Sequence, residues 1–118
     1  MPRSAPVSVV ETPEFLSATR KLMDDEERAA LVDFLAYNPT AGNLIQGTGG
    51  IRKLRWSLEG RGKRGGARVV YFYHNTDLPV FALTAYAKNV RANLSQSERN
   101  DLRRLTKLLV ESYGKGRR

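Results

Sequence analysis

Apolar positions along this chain of 118 residues fall into helical spacing near both ends and strand-like alternation in the middle. Residues 7–10 form a short β-branched run bounded by Pro6 and by the Thr12-Pro13 pair, which predicts a strand followed at once by a helix start. Thr12 is the expected N-cap and Pro13 the first helical residue. Phe15, Leu16, Thr19 and Leu22 then recur at helical spacing and predict an amphipathic helix of about three turns. The acidic run Asp24-Asp25-Glu26-Glu27 restarts the count, because carboxylates cap a helix and oppose its N-terminal dipole. Leu31, Phe34 and Leu35 supply the apolar stripe of this second helix up to Tyr37, and Asn38-Pro39 ends it.

A polar stretch with four glycines by position 50 precedes three alternating segments, residues 51–58, 67–74 and 79–86, which read as strands. Their connections, 60–66 and 75–78, are short enough for hairpins. An antiparallel meander follows, with the N-terminal strand available to join it. Ser95-Gln96-Ser97-Glu98 fits a capping box ahead of Leu102, Leu105, Leu108 and Leu109, a last amphipathic helix. The basic tail, residues 113–118, is expected to fray. The predicted order β-α-α-β-β-β-α describes one α+β domain over residues 1–118, with helices on one face of a small antiparallel sheet. The other face, poorly covered by so few helices, is expected to leave a concavity.

Composition narrows the chemistry. Twenty Lys and Arg against 12 Asp and Glu leave a net charge of +8, which favours a polyanionic partner. With no cysteine and one histidine, disulfides, Cys-based zinc sites, most His-ligated metals and Ser-His or Cys-His nucleophile pairs are excluded or disfavoured, and no cofactor or metal is expected. The longest mostly apolar uncharged run, residues 78–87, has ten residues where a spanning helix needs about 20, so no membrane association is expected. No signal-peptide core follows Met1, and a cytoplasmic location is the expectation.

The charge is concentrated. Between Ile51 and Arg68 lie Arg52, Lys53, Arg55, Arg61, Lys63, Arg64 and Arg68 against Glu59 alone, which puts +6 of the +8 on two strands and their hairpin. Such clustering points to a phosphate-binding surface. The glycine-rich hairpin lacks the Gly-x-x-x-x-Gly-Lys-Ser/Thr spacing of a Walker loop and reads either as a solvated turn or as a basic finger closing on RNA. Alternation places Lys53 and Arg55 on one strand face, where Arg68 can join them across the pair and converge fixed positive charge on an anion. Tyr86 and Lys88, two apart at the end of the last strand, pair a stacking surface with a phosphate contact or proton carrier. Arg91 follows nearby. Trp56, Tyr71, Phe72 and Tyr73 read mainly as core, and His74 as a surface histidine.

Three stretches resemble the RelE/ParE superfamily of bacterial toxins, and its HigB-like branch most closely: residues 44–55 (Leu-Ile-Gln-Gly-Thr-Gly-Gly-Ile-Arg-Lys-Leu-Arg), 62–71 (Gly-Lys-Arg-Gly-Gly-Ala-Arg-Val-Val-Tyr) and 83–89 (Leu-Thr-Ala-Tyr-Ala-Lys-Asn). The element order agrees along nearly the whole chain. The resemblance implies a RelE-like fold and a type II toxin that enters the ribosomal A site and cuts the message being translated. It implies Lys53, Arg55, Arg68, Tyr86 and Lys88 as catalytic residues, with Arg52, Arg61, Lys63, Arg64 and Arg91 contacting RNA or ribosome. Asn89 stands where RelE members carry a further basic residue, Ser95 lies near their late tyrosine, and the histidine and acid set of some HigB members has no counterpart. Attack of a 2′-hydroxyl on the adjacent phosphate, without metal, is the chemistry this inventory suits. Arg55 and Arg68 would stabilise the transition state, with Lys53 or Lys88 as the candidate base. The implied partners are the ribosome, mRNA and a HigA-like helix-turn-helix antitoxin, with operator DNA reached only through that antitoxin. Two other readings share the surface: a ParE-like inhibitor of DNA gyrase, and a noncatalytic RNA- or ribosome-binding module.

Overall fold

The computed structural model describes residues 5–58, 66–88 and 95–115. Strand β1 (Val9–Glu11) leads into helix α1 (Pro13–Arg20), then α2 (Asp25–Tyr37), β2 (Asn43–Leu44), β3 (Ile51–Trp56), β4 (Ala67–Phe72), β5 (Val80–Ala87) and α3 (Gln96–Lys115). The fold is α+β, as the sequence predicts. The sheet, however, has five strands in the order β1-β5-β4-β3-β2, and it is mixed, because β1 pairs in parallel with β5 while the other pairs are antiparallel. The two-residue β2 lies inside the stretch that sequence alone reads as loop, and its residues are too few to carry an alternation.

Local chemistry sets the helix boundaries. Thr12 accepts a hydrogen bond from the Phe15 amide at 3.1 Å, with Pro13 in the first helical position. The same hydroxyl lies 2.9 Å from the Ala82 carbonyl oxygen, so one residue both caps α1 and ties it to β5. The helix stops after just over two turns, short of Leu22, because the amides of Leu22 and Met23 both turn back to the Thr19 carbonyl. Asp24 then opens α2 with a reciprocal capping box: it accepts from the Glu27 amide at 2.8 Å while Glu27 accepts from the Asp24 amide at 2.9 Å. Ser95 and Glu98 form the corresponding box at α3. That helix continues through residues 113–115, where fraying is expected from sequence, and the Tyr113 ring packs edge-on against Phe81 at 4.9 Å.

Alternate residues of β1, β3, β4 and β5 feed two separate cores. Leu54, Val69, Tyr71, Val80 and Ala82 meet Phe15, Leu31 and Leu35 from α1 and α2. Ile51, Val70, Phe72 and Phe81 meet Leu102, Leu109 and Val110 from α3. Because neighbours along a strand point to opposite sides, α3 lies on the opposite face from α1 and α2, which corrects the one-faced arrangement read from the sequence. Helix amphipathicity shows that a helix docks, not which side of a sheet receives it. Each fully buried Phe or Leu in these cores contributes about 1.5–3 kcal/mol.

The β4–β5 ladder contains a bulge. Val70 pairs with Thr84 and Tyr71 with Ala82, so Leu83 is the extra residue on β5. Strict alternation from Val80 and Ala82 would put Tyr86 on the α1/α2 face. The extra residue resets the phase, and Tyr86 lies with the α3-side core.

Candidate anion-binding site on the sheet

The register aligns three candidate residues in one row. Arg55 on β3 lies directly opposite Arg68 on β4, and Arg68 directly opposite Tyr86 on β5. Neighbouring strands are about 4.8 Å apart, so the row spans roughly 10 Å. Lys53 shares the face two residues along β3, opposite Val70, whose own partner on β5 is Thr84. Lys88 is exposed in the turn that follows Ala87. The structure therefore brings together Lys53, Arg55, Arg68 and Tyr86, with Lys88 at the end of the same strand.

This row lies on the α3 side of the sheet, but beyond the part that α3 packs against. Ile51, Phe72 and Phe81 are essentially fully buried at one end, whereas toward the row Arg68 and Tyr86 are half-buried and Arg55 is exposed. The partly covered face expected from sequence exists, and α3 bounds it. Like charges directly opposite on a ladder are destabilising. Among the described residues, no carboxylate pairs with Lys53, Arg55 or Lys88. Arg68 directs Nη1 toward the Ala67 carbonyl oxygen at a long 3.5 Å. Lys53 and Arg55 thus carry positive charge that no described carboxylate neutralises, and an anion bound on this face would do so.

Arg52 is separated from this set. It lies on the opposite face, paired with Tyr71, and its Nη1 donates to the carbonyl oxygens of Gly42 at 2.8 Å and Thr40 at 3.3 Å. Its guanidinium holds the turn after α2. Tyr71 holds the same turn from the core: its hydroxyl donates to the Pro39 carbonyl at 2.8 Å and accepts from the Gly42 amide at 2.8 Å. Burial raises the Tyr71 phenol above its ordinary value, with the Gly42 amide and the Arg52 guanidinium acting the other way. Position 42 requires glycine, since an added Cβ would lie 2.9 Å from that phenol oxygen and 3.1 Å from the Lys53 carbonyl carbon. The turn and β3 are thereby locked together, which fixes the strand that carries Lys53 and Arg55.

Arg61, Lys63, Arg64 and Arg91 lie outside the described residues. Trp56 points away from the row and packs on Phe34 at 5.5 Å. Beside it, between α2 and β3, an open groove of about 490 Å³ is lined by Glu27, Phe34, Leu54 and Arg55 among others. Sequence reading did not foresee this groove, nor the basic flank of α3, where Arg99, Arg103 and Lys107 recur every four residues. That second signal was present as a helical period of charge instead of apolarity.

A mixed sheet with two helices behind it and a row of cations on its other side defines a small basic α+β protein suited to binding polyanions. The chain belongs to the RelE toxin family: the family described as the RelE toxin of the RelE/RelB toxin-antitoxin system matches residues 15–115. The match runs from Phe15 within α1 to the end of α3 and takes in all five residues of the candidate site, leaving β1, the Thr12 cap and the first two residues of α1 outside it. Among the described residues, no helix is long and apolar enough to cross a membrane.

Proposed function

We propose that this toxin is a ribosome-dependent mRNA endoribonuclease whose catalytic surface is formed by Lys53, Arg55, Arg68, Tyr86 and Lys88. The observation that carries the reading is the direct register of Arg55, Arg68 and Tyr86 across three strands. In the reaction, the 2′-hydroxyl attacks the adjacent phosphorus, the bond to the 5′-oxygen breaks, and a 2′,3′-cyclic phosphate and a 5′-hydroxyl result. The phosphorane-like transition state carries more negative charge than the diester, and two fixed guanidiniums stabilise that difference. Arg55 and Arg68 supply them, in the planar donor geometry that suits phosphate oxygens. Tyr86 stacks on or orients the scissile nucleotide. The proton leaving the 2′-hydroxyl passes to Lys53 or Lys88, the two amines beside the row, and the departing 5′-oxygen regains one. Alignment of the 2′-hydroxyl in line with the leaving group comes in large part from the ribosome, so free RNA is a poor substrate.

A toxin of a toxin-antitoxin pair has a cognate antitoxin. The HigB-like stretches of this sequence favour a HigA-like helix-turn-helix partner, which would carry the complex to operator DNA. Primer extension on a defined message in a bacterial translation extract, with and without the protein, tests the activity, together with the same RNA free of ribosomes. Codon-phased cuts that require translation are expected. Cuts on free RNA would remove the ribosome from the mechanism, and an uncut message would overturn the nuclease reading and leave gyrase inhibition or RNA binding without cleavage.

A further inference from the structure

The strongest feature outside the sheet site is the charged flank of α3. Arg99, Arg103 and Lys107 stand at successive four-residue steps, about 6 Å apart along the axis, and so line one side of the helix. Arg103 donates from Nε to the Gly47 carbonyl at 3.2 Å, which anchors its guanidinium beside the loop before β3 and leaves both Nη groups without a protein partner among the described residues. An open depression of about 340 Å³ lies between Asn100, Arg103, Arg104 and Lys107. Arg104 is paired with Asp101 at 2.6 Å, whereas Arg99, Arg103 and Lys107 pair with no described carboxylate, Glu111 included. Like charges at four-residue spacing destabilise a helix, so the stripe works against the element that carries it.

We propose that this flank of α3 is a second nucleic-acid contact, which holds the phosphate backbone of an RNA duplex. The inference rests on the reading of the sheet site as an RNA-acting surface and adds to it a separate docking surface. The chemistry favours a duplex backbone over single-stranded RNA, because the depression is lined by cations and one amide with no aromatic ring on which a base could stack. It favours nucleic acid over an acidic protein, because no aliphatic or aromatic residue of the kind that anchors protein interfaces lines the depression. A helix presenting cations at regular four-residue steps suits the regular backbone of an A-form duplex, which proteins recognise by shape and phosphate contacts. The stripe lies on the same helix that bounds the sheet site, so a duplex held there would leave the Arg55–Arg68 row open to a single strand.

The test is fluorescence anisotropy with a labelled RNA duplex of about 16 base pairs and with one of its strands alone. Titrations run over 50–200 mM salt on the full-length wild type and on the triple variant Arg99→Gln, Arg103→Gln, Lys107→Gln. Losing three phosphate contacts should lower the slope of log K against log salt by about 2 to 3 and weaken duplex binding at least tenfold. Single-strand binding should change by less than threefold. Arg20→Gln, which removes an exposed cation from α1 on the opposite side of the sheet, should leave the duplex slope nearly unchanged. Circular dichroism and thermal melting check the fold, and Arg103→Lys, which keeps the charge, should retain duplex binding. An unchanged duplex slope in the triple variant, an equal loss for duplex and single strand, or displacement of the duplex by poly-glutamate at matched charge would overturn the proposal. Cutting in the translation extract is scored separately. A protein that binds duplex through α3 yet cuts no message would sink the nuclease reading and leave this contact standing.

Discussion

Arg55 and Arg68 oppose each other directly across β3 and β4, two guanidiniums in a register position where most sheets place an apolar or oppositely charged pair. Arg68 is half-buried, and the core contacts of β4 come from Val69, Val70, Tyr71 and Phe72, so Arg68→Ala should leave the protein folded, as circular dichroism and thermal melting would check. Cleavage in the extract should fall by about 100-fold or more, the scale of losing one preorganised transition-state donor. Normal cutting by a folded Arg68→Ala protein would remove Arg68 from the site.

Tyr86 distinguishes stacking from hydroxyl chemistry. If its ring serves as a platform for the scissile nucleotide, Tyr86→Phe should cut within a few-fold of wild type. Tyr86→Ala should then lose roughly 1–3 kcal/mol of binding or orientation, about 5- to 150-fold. Single-turnover rates on programmed ribosomes make the comparison, and equal losses in both variants would assign the role to the phenol oxygen.

Tyr71 holds the turn that fixes β3, the strand carrying Lys53 and Arg55. Tyr71→Phe leaves the Gly42 amide and the Pro39 carbonyl without their partner, and urea denaturation near pH 7 should show a loss of about 1–3 kcal/mol. The folded-state value of this phenol is raised above the reference value of 10.0, so its contribution is fully present below pH 10 and is lost as pH rises through the folded value. The stability difference between wild type and Tyr71→Phe should accordingly shrink above pH 10. A difference that grew with pH would contradict the burial argument.

Much of the local structure was legible in the residues. The caps at Thr12, Asp24 and Ser95 involve groups within three positions of one another, and alternation over residues 51–58, 67–74 and 79–86 marks the strands that the structure bounds at Ile51–Trp56, Ala67–Phe72 and Val80–Ala87. Lys53, Arg55 and Arg68 could be placed on a common face because an antiparallel pair preserves alternation across a hairpin. The family resemblance added residue roles that spacing by itself does not carry.

What the sequence by itself determined were the elements other than β2, the caps that start the helices, the surplus of positive charge and the strands that bear it, since these follow from hydrogen bonds and periodicities spanning a few residues. Only the tertiary structure decided that β1 enters beside β5 in parallel, that a two-residue strand closes the far edge, and that α3 crosses to the face opposite α1 and α2. It also decided the fate of Tyr86. A single unpaired residue, Leu83, shifts the phase of β5 and turns that ring from the helix-packed face to the side of Arg68. Nothing in the spacing from Val80 to Tyr86 marks the shift. A bulge forms when pairing with β4 and packing of two cores are satisfied together, and both of those partners lie far away along the chain.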